Sequence, residues 1–132
     1  MKSRPMVMLI VAFLMIAASM TAAQKPPAPK YDPATEATFK GTVDAVTDRE
    51  CPVSGGMGAH VTLKLADGTT IEVHLALTKF VKDNGLILNK GDQIEVIGSK
   101  VKFEGVDAIF AREITRGNDT FVFRGKQGNP AW

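Results

Sequence analysis

The residues best suited to chemistry in this chain are its two histidines, which flank a segment with the pattern of a β-hairpin. Polar and apolar residues alternate from His60 to His74 on both sides of Ala66-Asp67-Gly68. A three-residue turn there, with Gly68 in the left-handed conformation, keeps the apolar residues of both strands on one face. In this register His60 lies opposite His74. A register two residues longer also keeps the faces separate and places His74 opposite Thr62.

The preferred register gives the hairpin one apolar and one polar face. Val61 pairs with Val73 and Leu63 with Ile71, so we expect this side to fill the core. We expect the other side to be an outward ligand-binding face, and it carries His60, His74, Thr62, Glu72 and Lys64. Directly opposed strand residues lie about 5 Å apart at Cβ, so a metal ion could bridge the two imidazoles.

Two more soft ligands precede the hairpin, in a predicted loop over residues 47–59. This loop contains Cys51 and Met57, and its glycines allow it to fold back over the hairpin. Thiolate, thioether and imidazole are ligands that copper and similar transition-metal ions prefer. The sequence therefore predicts a metal site formed by His60, His74, Cys51 and Met57. The alternative is that the histidines face solvent with nothing bound and that Cys51 and Met57 are ordinary loop residues.

The N-terminal segment has the features of an export signal. Lys2 and Arg4 precede an apolar run, and small residues end it near position 23. Residues 1–23 are therefore predicted to be a signal peptide, which places the protein in the periplasm or outside the cell. The alternative is a retained membrane anchor, in which case this segment alone contacts the membrane. Residues 24–36 contain four prolines and predict an extended tether before the domain formed by residues 37–132.

Charge and cysteine content exclude several classes of protein. The whole chain has 16 Lys and Arg against 14 Asp and Glu, and cleavage removes Lys2 and Arg4, so the mature chain is close to neutral. A neutral exported domain is a poor candidate for binding nucleic acid, which requires a basic surface. Cys51 is the only cysteine, so no disulfide forms within the chain.

The pattern after the tether is typical of a small β-barrel. β-Branched and aromatic residues predict strands over residues 38–46, 60–65, 69–75, 93–101, 106–114 and 120–124, with a short helix over residues 77–84 between the third and fourth. This order is that of the OB-fold, a Greek-key barrel. Gly41 and Gly98 stand where such strands need sharp coiling or a bulge. Phe121, Phe123 and Trp132 are expected to cover the barrel.

Several segments also resemble a known group of proteins. They include Gly58-Ala-His-Val-Thr-Leu-Lys64, Lys90-Gly-Asp92, Val96-Ile-Gly-Ser-Lys100 and the C-terminal run that ends at Trp132. Residues 37–132 resemble small exported bacterial OB-fold proteins and are most similar to the MamS/MamX-type domain, whose named members are linked with magnetosomes and iron biomineralisation. The resemblance implies an OB-fold. MamX-like members carry Cys-x-x-Cys-His haem motifs, whereas Pro-Val-Ser follows Cys51 here, which excludes covalent c-type haem.

These observations predict a binding module and not an enzyme. The sequence has no phosphate-binding glycine loop, nucleophile elbow or zinc-protease motif. We therefore expect a non-enzymatic OB-fold module that binds a transition metal, or docks to a metal or redox partner, through its second and third strands. Two alternatives remain open, namely an envelope module that binds a protein or polymer without metal and, less favoured by charge, a single-stranded nucleic-acid binder.

Overall fold

The computed structural model describes residues 27–132, which form a mostly β domain. A 3₁₀ turn, Pro33–Thr35, precedes six strands and one short helix: β1 (Glu36–Cys51), β2 (Gly56–Leu65), β3 (Thr70–Leu77), α1 (Thr78–Asp83), β4 (Gln93–Phe103), β5 (Val106–Arg116) and β6 (Asp119–Val122). The helix lies between β3 and β4, as predicted. The predicted signal peptide lies outside the described residues. Within residues 27–132 no helix has the length and apolar character needed to cross a bilayer.

The six strands form one sheet in the order β3-β2-β1-β4-β5-β6. Sequential neighbours in this order pair antiparallel, and β3 also pairs in parallel with β5. The long strand β1 pairs with β4 through its first half and with β2 through its second half. Gly41 belongs to both pairings, and a Cβ at this position would collide with the backbone carbonyl of Lys64. Glycine is therefore required where β1 changes partner.

The predicted irregularity at Gly98 is confirmed. The register between β4 and β5 shifts between Ile97 and Gly98, which marks a bulge. A Cβ on Gly98 would collide with the backbone carbonyl of Phe110 on β5. The bulge therefore depends on a residue without a side chain.

The predicted register of the β2–β3 hairpin is also confirmed. His60 pairs with His74 and Val61 with Val73. The Leu65 N–H donates to the Thr69 carbonyl at 2.8 Å, and Gly68 has a φ of 85°. The turn chemistry and the alternation of side chains thus specify the same pairing.

The main core lies on the apolar face of this hairpin. Val61, Leu63 and Val73 are fully buried there, with Val96, Ile109, Ile114 and Phe123 from other parts of the chain. Helix α1 adds Val81, and Gly85 ends the helix in the left-handed conformation with φ 75°. Phe123 lies in this core, and Phe121 and Trp132 pack against it, as predicted.

The predicted loop before the second strand is wrong. Strand β1 continues to Cys51 and β2 begins at Gly56, so the predicted loop over residues 47–59 shrinks to the short turn between them. Within the predicted tether, Tyr31 is buried and its hydroxyl donates to Glu36. The longer β1 places Cys51 beside His74, on the polar face of the hairpin.

Candidate metal centre

The two histidines are in contact, but they are not on an outward face. Their ring centroids lie 4.6 Å apart with the rings nearly perpendicular. His60 is 2% exposed and His74 is 3% exposed, so the expectation of an outward ligand-binding face is wrong at this end of the hairpin. They project from the face opposite Val61 and Val73, as alternation requires, and a second layer of side chains covers them.

This second layer forms a small cluster, here called the outer cluster, which consists of the buried Cys51, His60, His74 and Phe110 and the half-buried Phe103. The Phe103 and Phe110 rings lie 5.0 Å and 5.2 Å from the His74 ring, between centroids, and both meet it edge to face. Phe110 is on β5 directly across the parallel pairing from His74. The end of β4 supplies Phe103, which lies beyond the predicted end of that strand at residue 101. The pairing of β3 with β5 thus buries the imidazoles.

Cys51 joins the histidines from the last position of β1. Its Sγ lies 3.5 Å from Nδ1 of His74, and the thiol is buried. One potential ligand atom from each of Cys51, His60 and His74 can be chosen so that all three lie within 4.8 Å of one another. The structure therefore brings together three of the four predicted metal ligands.

Burial keeps both imidazoles in the neutral form that binds metals. Desolvation and the nearby His60 lower the pKa of His74 to about 4, although Glu72 opposes this shift. Desolvation and the positive charge of Arg49 also lower the pKa of His60. Near neutral pH each ring thus has an unprotonated nitrogen available to a metal ion.

Neither ring nitrogen of His60 makes a hydrogen bond of good geometry within residues 27–132, although backbone groups of Gly58 and Thr47 lie close to the ring. A buried polar atom without a partner is costly, and native proteins contain few of them. An ion bound to one of these nitrogens would remove part of that cost.

Glu72 approaches His74 from the side opposite Cys51. Its Oε1 lies 3.1 Å from Nε2 of His74, although it is not aligned with the direction in which that nitrogen would donate. Glu72 also forms an ion pair with Arg49 on β1. A carboxylate at Nε2 favours the tautomer that leaves Nδ1 unprotonated, and Nδ1 is the atom that faces Cys51.

The other predicted site residues are not in the outer cluster. Met57 is 47% exposed and pairs with Glu50, so its inclusion among the ligands has no support from the structure. Thr62 is half-buried and Lys64 is exposed, on the part of the face that the second layer leaves open. The predicted ligand face is therefore divided into a buried end and a solvated end.

Arg124 was predicted only as the end of a strand, but it is buried next to the outer cluster. Its guanidinium carbon lies 4.8 Å from the centre of the Trp132 ring and 5.9 Å from that of Phe110. Nη1 donates to the Gly128 carbonyl at 2.9 Å. Burial lowers the pKa of Arg124, and its positive charge contributes to the low pKa of His74. No local pattern distinguishes this arginine from an exposed one, because Tyr31 and Phe110 reach it from distant segments.

The comparison with protein families decides the identity of the domain. Residues 35–121 match the MamS/MamX magnetosome protein family. The chain belongs to the MamS/MamX family. The comparison with curated proteins gives no match. The matched segment of this MamS/MamX chain contains the three clustered ligands and ends before Arg124 and Trp132.

The haem attachment expected of MamX-like members does not fit this MamS/MamX domain. Cys51 is the only cysteine, and it is buried against His74 at the end of a strand. Two thioether bonds to one haem would require a second cysteine. Covalent c-type haem attachment through two cysteines is therefore excluded at this site.

Proposed function

We propose that this protein is an exported, non-enzymatic binding module that holds a transition-metal ion between Cys51, His60 and His74. The clustering of these three ligands is the observation that carries the proposal. Metal–sulfur and metal–nitrogen bonds of about 2.3 Å and 2.0–2.1 Å at a tetrahedral ion place the donor atoms roughly 3.5 Å apart. The separation of 3.5 Å between Cys51 Sγ and His74 Nδ1 agrees with this value, and the three ligands together lie within 4.8 Å of one another.

The proposal includes an OB-type barrel as the scaffold. The strand pairings run from β3 through β2, β1 and β4 to β5, and the β3–β5 pairing returns to the starting strand. This circuit and the helix between β3 and β4 are features of the OB-fold. The metal would then lie outside the main core, between the hairpin and the outer layer.

Binding is proposed instead of catalysis because the donor atoms are enclosed. Cys51, His60 and His74 are each at most 5% exposed, and two phenylalanine rings pack against His74. An ion can enter such a site after a small opening, whereas a larger substrate would need the cluster to come apart. The link of named family members with iron biomineralisation, noted above, supports a metal-handling role without identifying the ion.

The test is metal-dependent thermal unfolding of the chelator-treated protein under reducing conditions, with Cu(I), Zn(II), Fe(II) and Ni(II) added separately. A metal at a hundredfold excess over its dissociation constant should add about 2.7 kcal/mol to the free energy of unfolding. We expect Cys51→Ser and His60→Leu to remove this gain. Met57→Leu is the matched control and should retain it, because Met57 is exposed by 47%.

Two results would overturn metal binding at this site. The first is that none of the four ions shifts unfolding, which would favour docking of an envelope protein or polymer. The second is a shift that persists in both Cys51→Ser and His60→Leu. Tight, salt-sensitive oligonucleotide binding would instead support the nucleic-acid alternative.

A further inference from the structure

Among the His, Cys, Asp and Glu side chains of residues 27–132, the outer cluster offers three ligands and no fourth. No Asp or Glu joins the group formed by Cys51, His60 and His74. Glu72 lies near Nε2 of His74, whereas the thiol lies near Nδ1, so the carboxylate is on the far side of the ring. The remaining neighbours of His74 are phenylalanine rings, which are not ligands of ordinary metal sites.

This geometry is a poor match for a structural zinc site. Zinc in such sites is almost always bound by four ligands in a tetrahedron. A zinc ion bound only by Cys51, His60 and His74 would need a water molecule as its fourth ligand. These three residues are at most 5% exposed, and aromatic rings pack against His74. The enclosed space therefore favours an ion that is stable with three ligands.

The charge around the outer cluster also favours a monovalent ion. Arg124 is buried with its guanidinium over the Phe110 ring, and Phe110 in turn contacts His74. The carboxylate of Glu72 is paired with Arg49. A divalent ion with one thiolate and two neutral imidazoles keeps a net charge of +1, and burial of a net charge next to a buried cation is costly. A monovalent ion with the same ligands is neutral.

We infer that the cluster selects Cu(I), held by the Cys51 thiolate and one nitrogen of each histidine. Soft thiolate ligands favour Cu(I), and imidazole also binds copper. This inference depends on the proposed function, because it names the ion for the same site. Binding releases the thiol proton and changes no oxidation state when copper is supplied as Cu(I).

The test is a pair of competition titrations of the whole protein without oxygen and with ascorbate present. Bicinchoninate competes for Cu(I), and a chromophoric chelator competes for Zn(II). We expect one Cu(I) per chain and a Kd for Cu(I) lower than that for Zn(II) by roughly tenfold or more. X-ray absorption of the Cu(I)-loaded protein should give three-coordinate copper with one sulfur and two nitrogens.

The outcomes separate this inference from the proposed function. Binding of Zn(II) as tightly as Cu(I), or a four-coordinate copper spectrum, overturns the inference while a metal function at the cluster stands. Failure of every ion to bind overturns both. Cys51→Ser should remove the sulfur contribution from the X-ray absorption spectrum and weaken Cu(I) binding. Met57→Leu should change neither the spectrum nor the affinity. An unchanged sulfur signal in Cys51→Ser would also refute the assignment. The spectrum of the unmodified protein decides the question even where a variant fails to fold.

Discussion

Cys51 Sγ lies 3.5 Å from His74 Nδ1, although the two residues are 23 positions apart and belong to strands with β2 between them. The contact is possible because β1 continues to Cys51 and the adjoining part of β2 carries little side-chain bulk. Gly56 pairs with Cys51, and a Cβ on Gly58 would collide with the Ser54 side chain. Small residues at the start of β2 therefore leave the space in which the thiol reaches the third strand.

The stability of the metal-free protein should fall in mild acid. Unfolded His74 protonates near its ordinary pKa of 6.5, whereas the folded residue protonates near a pKa of about 4. The folded state is thus fully stable above pH 6.5 and loses about 3 kcal/mol from this residue as the pH falls to 4. Urea unfolding across this range measures the loss. His74→Leu should reduce the dependence of the free energy of unfolding on pH. An equal pH dependence in the parent and the variant would contradict the assignment.

His60→Leu should leave the metal-free protein as stable as the parent or more stable. Both ring nitrogens of His60 are buried without good partners in the part of the chain that the structure describes. Replacement of such a group by an apolar side chain of similar size removes a desolvation cost of about 1–3 kcal/mol. Chemical denaturation after chelator treatment measures the change. A loss of several kcal/mol would show that the imidazole has partners in solution.

Glu72→Gln should weaken metal binding without removing a ligand. The carboxylate lies 3.1 Å from His74 Nε2 and favours the ring tautomer that offers Nδ1. Loss of such an outer partner costs roughly 10–100-fold in metal affinity. Competition titration gives the affinity, and Lys64→Gln on the exposed end of the same face is the control. Equal affinities in the two variants would mean that Glu72 does not orient the ring.

Gly98→Ala should destabilise the domain by about 1–3 kcal/mol, because the new methyl group would meet the Phe110 carbonyl. Gly125→Ala is the matched control, because a Cβ there has no neighbour within 4 Å. That substitution should change stability by about 0.5 kcal/mol or less. Thermal unfolding measures the stability of the two variants. Similar losses of stability would show that β4 relaxes around the added methyl group.

The local parts of this fold could be predicted from sequence, but the enclosure of the site could not. The turn at Gly68 and the alternation around it favour the register in which His60 pairs with His74, and the structure selects it over the register that is two residues longer. Residues 47–50 are polar and charged and have no apolar alternation, so the end of β1 looks like a loop although its pairing with β2 makes it a strand.

Burial of the imidazoles depends on contacts between distant segments. Phe103 and Phe110 belong to the β4–β5 hairpin and Arg124 follows β6, and these segments reach the imidazoles where β3 pairs with β5. No short-range sequence pattern indicates that these side chains come into contact. Sequence therefore predicted which side chains share a face, and tertiary pairing decides which of them water can reach.

The C-terminal indole gives this protein an intrinsic optical reporter. Trp132 is the only tryptophan, and its Nε1 donates to the Ser54 carbonyl at 2.9 Å, in the turn that immediately follows Cys51. Movement of that turn when an ion is captured would change the polarity around the indole. Fluorescence emission could then follow loading and release in real time, without a dye or label.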